Sequence, residues 1–243
     1  MGKVFYYIRD FIKARGCYFA LLAIAPLSSS EFDLYFLTYP RCGTHWLMYC
    51  IGHFSHRECR AGPKLISYST AGIEHDPTLP PYRHTHFHSQ VEKSDDTLLI
   101  LQVRNYKECM IRHHRSVKKA LQNISEKKNY FENLKLYDSW DPERRLLVYY
   151  EDLILHPKQT LTKVLKFLDC YDEQELEEFL FNIAAHRRKV LQFYKKYGGA
   201  RSKGKDLTYH SKDVSDRELQ ALDDYAKKNY PNLWKKYLWM YAQ

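Results

Sequence analysis

A chain of 243 residues with 44 % hydrophobic and 28 % charged side chains has the size and balance of one soluble globular domain with a core of its own. No internal repeat or low-complexity linker divides it, and the six cysteines are scattered without a Cys-x-x-Cys pair, which argues against disulfide staples and cysteine-bound metal. A net charge of +9 and a pI near 9.1 call for an anionic ligand or partner, with nucleic acid and membrane surface compatible on that count alone.

Residues 1–30 form a lead-in to a domain over 31–243. Val4, Ile8, Phe11 and Ile12 space as a short amphipathic helix, and Cys17 to Leu27 is an apolar run too short to span a bilayer. Basic residues before that run and Ser28-Ser29-Ser30 after it imitate a signal peptide. The preferred reading is a packed lead-in helix, hence a cytoplasmic protein. Secretion, or peripheral membrane contact through residues 1–30, is the alternative.

Asp33 to Thr38 is an apolar, aromatic strand, and Leu47, Cys50, Ile51 and Phe54 give the next segment one buried helical face. Between them stands Tyr39-Pro40-Arg41-Cys42-Gly43-Thr44-His45-Trp46. Proline stops the strand, glycine permits close backbone approach, arginine brings charge, and a hydroxyl opens the helix. Unpaired N–H groups and the positive dipole end of a helix start cradle an anion, so this strand–loop–helix predicts binding of phosphate or a relative of it.

Residues 57–82 are rich in Gly and Pro and have the character of a loop that shapes a ligand pocket. Tyr82 to His88 follows as a short strand; extended, it would put His84, His86 and His88 on one face, a metal-compatible spacing with no carboxylate or cysteine ligand nearby. Leu98 to Val103 is a near-continuous apolar strand of the kind buried in a parallel sheet. It ends at Arg104-Asn105, and a helix through Tyr106, Met110, Val117 and Leu121 follows. Residues 122–143 are polar and predict a mobile helix–loop.

Leu146 to Tyr150 is a third core strand, closed by Glu151-Asp152. Leu161, Val164, Leu165 and Leu168 give an amphipathic helix, and one long helix is predicted over about 173–197, ended by Gly198-Gly199. Ala200 to Asp206 is a basic loop. Ser215 and Glu218 spell a capping box before a helix carrying Leu219, Leu222 and Ala226, and a final helix after Pro231 buries Leu233, Trp234, Tyr237, Leu238 and Tyr241. The fold class is therefore α/β: a single domain with a parallel central sheet flanked by helices.

The loop at 39–46 resembles the 5′-phosphosulfate loop of the sulfotransferases that use 3′-phosphoadenosine 5′-phosphosulfate (PAPS), which reads roughly Tyr-Pro-Lys-Ser-Gly-Thr-Thr-Trp. This chain keeps Tyr39, Pro40, Gly43, Thr44 and Trp46, and carries Arg41 for Lys, Cys42 for Ser and His45 for the second Thr. A Walker A loop fits less well, since its second glycine and its lysine are absent. The likeness runs from about Asp33 to Lys212. Leu101 to Glu108 resembles the 3′-phosphate motif, so Arg104 would grip that phosphate. Arg112 stands where the family has a phosphate-binding Ser; it is either a longer donor to the same place or a solvated helix residue.

Tyr149 to Asp152 resembles the Tyr-Glu-Asp segment that touches adenine, which makes Tyr150 and Trp46 candidates for holding the base, with plain core positions as the alternative. Ser202-Lys203-Gly204 resembles an Arg-Lys-Gly loop, with Arg201 as the substitute for the missing Arg and Lys203 and Gly204 in their family places. Thr85-His86 matches the segment that carries the catalytic base, so the resemblance implies His86 as base, with His84 and His88 as neighbours able to take the role. An imidazole with pKa near 6.5 suits proton removal at neutral pH.

The resemblance implies transfer of a sulfuryl group from PAPS to a hydroxyl or amine of a small-molecule, glycan or lipid acceptor, releasing adenosine 3′,5′-bisphosphate. Neither metal nor nucleic acid takes part. Arg41 and the backbone of Cys42, Gly43, Thr44, His45 and Trp46 would stabilise the leaving phosphate. Two rival readings are a nucleotide-dependent kinase-like phosphotransferase and a non-catalytic nucleotide- or RNA-binding protein.

Overall fold

The structure, a computed structural model, describes residues 34–54, 83–86, 88–91, 93, 97–114, 116–125, 130–197 and 215–241. In chain order these form β1 (Leu34–Thr38), α1 (Thr44–Phe54), β2 (Arg83–Thr85), β3 (Leu98–Val103), α2 (Tyr106–His114), α3 (Val117–Ser125), α4 (Tyr130–Asp138), β4 (Arg145–Tyr149), α5 (Tyr150–Leu155), α6 (Pro157–Phe167), α7 (Glu173–Phe181), α8 (Ile183–Tyr197) and α9 (Asp216–Asn229), followed by short helical turns to Tyr241. Residues 1–30, the loop at 57–82 and the basic segment with Arg201, Lys203 and Gly204 lie outside the described residues.

Among the described residues the sheet is four-stranded and parallel, in the order β2-β1-β3-β4. β1 pairs with β3 from Leu34↔Leu98 to Thr38↔Gln102, and both strands are buried throughout. Their unbroken apolar character follows from this position, since helices cover both faces of the sheet. The period of two sorts their side chains between two cores. Tyr35, Leu37, Leu99, Leu101 and Val103 pack with residues of α2, α4, α9 and the C-terminal turns, whereas Leu34, Phe36, Leu98 and Ile100 pack with α1, α5, α6, α7 and α8.

That division locates the ligand crevice. The helix after β1 covers one face of the sheet and the helix after β3 covers the other, although the two strands are neighbours. Where successive connections leave to opposite sides, a crevice opens at the carboxyl ends of the strands, and open α/β sheets bind ligands there. The loop 39–43 and Arg104 both stand at this point.

Several elements differ from the sequence expectation. Residues 130–138 are an ordered helix that buries Tyr130, Phe131, Asn133, Leu134 and Tyr137, not a mobile stretch. The apolar residues have helical spacing, but Glu132, Asn133 and Lys135 interleave them and mask the stripe. The predicted long helix over 173–197 breaks at Asn182, whose N–H bonds back to Glu178 and Phe179 while its carbonyl accepts from Ala185 and His186. One residue thus ends α7 and starts α8.

Tyr150 opens α5 and does not end β4. The strand bearing His84 stops at Thr85, and a turn begins at His88, so the three histidines do not line one extended face. The capping box of Ser215 and Glu218 forms as read. Lys107, 5 % exposed, pairs with Asp223 at 3.2 Å and donates to the Tyr241 carbonyl at 2.6 Å, which fastens the C-terminal helices to α2.

Candidate active site

The loop after β1 is a tight cradle. The Cys42 N–H bonds to the Tyr39 carbonyl at 3.2 Å, closing a turn, and the Trp46 N–H bonds to the Gly43 carbonyl at 3.0 Å at the entry to α1. Arg41 at φ 76° and Gly43 at φ 82° both adopt left-handed backbone. For Arg41 that conformation costs about 1–3 kcal/mol, strain of the kind found where backbone encloses a ligand. Gly43 has a second reason to lack a side chain: a Cβ there would lie 2.2 Å from Cε2 of Tyr150.

Arg41 itself is exposed, whereas Cys42 is fully buried with its Sγ 3.5 Å from Cys109 Sγ on α2. Cys42 therefore offers the cradle its backbone, and its thiol ties the loop to the helix behind Arg104.

On one side of the loop stands His86. Its Nδ1 lies 2.8 Å from the Thr38 hydroxyl and 3.2 Å from the Thr38 carbonyl. A carbonyl can only accept, so the second contact is a hydrogen bond when Nδ1 carries the proton, and Nε2 then keeps its lone pair. The Thr44 hydroxyl donates to the Thr38 hydroxyl at 3.0 Å, so one side chain joins the first residue of α1 to the candidate base.

Asn133, 1 % exposed on α4, fixes the same segment. Its Nδ2 donates to the carbonyls of Thr38 and His86, both at 3.3 Å, and its Oδ1 accepts from the His88 N–H at 3.0 Å. Burial lowers the pKa of His86, partly opposed by the bond to Thr38, so the ring is neutral at pH 7. Burial, and then the charge of His86, hold His45 down to about 4. His113 is lowered by burial, by His114, by Arg41 and by His86. Tyr39 spans from the loop to His114, hydroxyl to Nε2, at 3.0 Å. His84 lies in β2, paired in register with Phe36.

On the other side stands Arg104, 4 % exposed at the end of β3. Its guanidinium bonds Glu108 at 2.6 Å and lies over the Tyr150 ring at 4.6 Å, while its Nε–H finds no hydrogen-bond partner among the described residues. Burial first, then the charges of Arg104 and Arg41, lower the pKa of the Arg112 guanidinium, with Glu108 acting in the opposite sense. Arg112 therefore feels the repulsion of both Arg104 and Arg41. A bound polyanion relieves that repulsion and supplies acceptors for their donors.

Trp46 and Tyr150 are enclosed at 1 % and 3 % exposure. Trp46 stacks on Tyr49 with ring centroids 5.8 Å apart, near Phe179, and the Arg187 guanidinium lies 5.5 Å from the Trp46 ring. Burial raises the Tyr150 hydroxyl to about 12, against the pull of Arg104, Arg187 and Arg112. A separate cavity of about 360 Å³, lined by His53, Phe179, His186 and Lys189 among others, opens at the far end of α1 and contains none of the cradle residues.

The fold thus brings together Arg41, Cys42, Gly43, Thr44, His45, Trp46, His86, Arg104, Arg112 and Tyr150. Sequence reading missed Thr38, Asn133 and Arg187. A polar residue ending an apolar strand is a usable sign for Thr38. Asn133 and Arg187 come from helices remote in sequence, and nothing in their own neighbourhoods marks them.

A parallel α/β sheet with a strand–loop–helix and buried Arg104 at its switch point is a P-loop-like architecture. The chain belongs to the sulfotransferase domain family, whose match spans residues 32–229. Among solved structures it is similar to mouse sulfotransferase SULT7A1 complexed with PAP, at 14 % identity over 83 % of this chain and 86 % of that one, with a TM-score of 0.62. It is also similar to a putative steroid sulphotransferase of Arabidopsis thaliana, at 17 % identity over 86 % of this chain and 79 % of that one, with a TM-score of 0.53. No curated protein matches the sequence.

Proposed function

We propose that the chain transfers a sulfuryl group from PAPS to a hydroxyl or amine of a small-molecule, glycan or lipid acceptor. The observation that carries this reading is a helix-entry loop packed on one side against Tyr150 and the Arg104 guanidinium stacked on it, with Arg112 feeling both Arg104 and Arg41, and flanked on the other side by a neutral, hydroxyl-anchored His86.

His86 Nε2 takes the acceptor's proton as the acceptor oxygen or nitrogen bonds to sulfur. The bond from sulfur to the 5′-phosphate oxygen breaks in the same displacement, and adenosine 3′,5′-bisphosphate (PAP) leaves. Arg41 and the N–H groups at the start of α1 stabilise the charge that grows on that phosphate. Arginine does this electrostatically, since it keeps its proton at any working pH. Arg104 and Arg112 receive the 3′-phosphate, and Thr38 holds the base in the tautomer that accepts a proton.

Calorimetry with adenosine 3′,5′-bisphosphate, 5′-AMP, ATP and RNA tests the donor assignment. The bisphosphate should bind well above 5′-AMP, since each charge-assisted bond to the extra phosphate contributes about 1.5–3 kcal/mol. Equal affinity for the two nucleotides sinks the PAPS reading, and preference for ATP with magnesium or for RNA supports a rival. Labelled PAPS offered with phenol, sterol, sugar and glycolipid acceptors then identifies the acceptor class.

A further inference from the structure

Arg187 lies on α8, in the helix layer opposite the one that carries Arg112. Its guanidinium covers the Trp46 ring at 5.5 Å, and its Nε is buried without a hydrogen-bond partner among the described residues. Arg104 repeats the pattern nearby: stacked on Tyr150 at 4.6 Å, it too has a buried, unpartnered Nε–H. Both cations bear on the Tyr150 hydroxyl. Tyr150 touches Gly43, and Trp46 follows three residues later, so both stacked pairs flank the cradle loop.

A buried N–H without an acceptor is costly and points to a missing acceptor atom. Guanidinium is donor-only and planar, so it satisfies a ligand that presents lone pairs at the edge of a flat ring, and it also stacks on such rings. If the proposed phosphates occupy Arg41, Arg104 and Arg112, the part of the nucleotide left for the Trp46 side is the uncharged nucleoside. We propose that Arg187 is a nucleotide-binding residue that contacts the adenine base at the Trp46 wall. This inference rests on the PAPS reading and adds to it the group that recognises the base end of the donor.

The test compares Arg187→Gln and Arg187→Lys with the unaltered chain, using adenosine 3′,5′-bisphosphate by calorimetry and 5′-AMP by competition. Arg187→Gln should weaken both nucleotides by a similar factor, about 10- to 100-fold, because both carry adenine. Arg187→Lys, which keeps the charge but loses the plane and the fork, should fall between. Arg188→Gln, at the exposed neighbouring position, should leave both affinities unchanged. Loss confined to the bisphosphate overturns the proposal and places Arg187 with the 3′-phosphate. Unchanged affinity with a lowered melting temperature overturns it in favour of a packing role. Should Arg187→Gln fail to fold, Arg187→Lys carries the same comparison. Failure of the unaltered chain to prefer the bisphosphate is a different result, and it strikes the PAPS reading itself.

Discussion

Gly43→Ala tests the cradle where it is tightest. The backbone at φ 82° disfavours any residue with a Cβ, at about 1–2 kcal/mol. The new methyl group would also sit 2.2 Å and 2.3 Å from Cε2 and Cδ2 of Tyr150. Tyr150 cannot swing into solvent: it is 3 % exposed, with Arg104 stacked on its ring. Forcing that ring aside adds about 1–3 kcal/mol of overpacking, for a total near 2–5 kcal/mol. In a domain of this size each kcal/mol moves Tm by about 2–4 °C, so the variant should melt about 4–20 °C lower.

Displacing Tyr150 also disturbs Arg104 and the loop, so affinity for adenosine 3′,5′-bisphosphate should fall by about tenfold or more. Thermal scanning with and without the nucleotide measures both effects. Melting and binding within error of the unaltered chain would refute both the steric account of Gly43 and the link from Tyr150 to the binding site.

Arg41→Gly and Arg41→Ala should both weaken the nucleotide and lower turnover, yet the glycine variant should be more stable by about 1 kcal/mol, because φ 76° suits glycine alone; denaturant midpoints in the opposite order refute strain at this residue. His86→Ala should reduce turnover by about 10²–10⁴-fold with nucleotide affinity nearly intact, and turnover with this ring replaced but undiminished would move the base elsewhere. In the unaltered enzyme kcat/KM should be flat at neutral pH. It should fall on the acid side, since a base must be unprotonated and burial lowers the pKa of His86 below the ordinary 6.5; a rise only above pH 8 would exclude this histidine. Asn133→Ala should lower kcat by about tenfold while nucleotide affinity stays within a factor of two, and an equal loss in both would show that Asn133 supports the whole cradle and not His86.

The sequence by itself determined the parallel α/β class and the strand–loop–helix at residues 39–46, because both are written locally. β1 and β3 are continuous apolar runs, and only strands covered on both faces require them. Pro40, Gly43 and Thr44 sit within a few residues of one another, so turn, close approach and helix start are legible together. Ser215 and Glu218 announced their capping box for the same reason.

The tertiary structure alone decided which groups meet across the switch point. Thr38 and His86 are 48 residues apart, and Asn133 reaches Thr38 across 95. Hydrophobic periodicity ranks faces of single elements; it says nothing about which side chain of a remote helix ends beside a given carbonyl. For the same reason the polar stretch 122–143 reads as a mobile helix–loop: the polar residues of α4 look like solvent-facing ones until one of them, Asn133, is found 1 % exposed with its carboxamide shared among three backbone groups. Arg187 reads as an exposed helix cation by composition, and only the approach of α8 to α1 puts its guanidinium over Trp46.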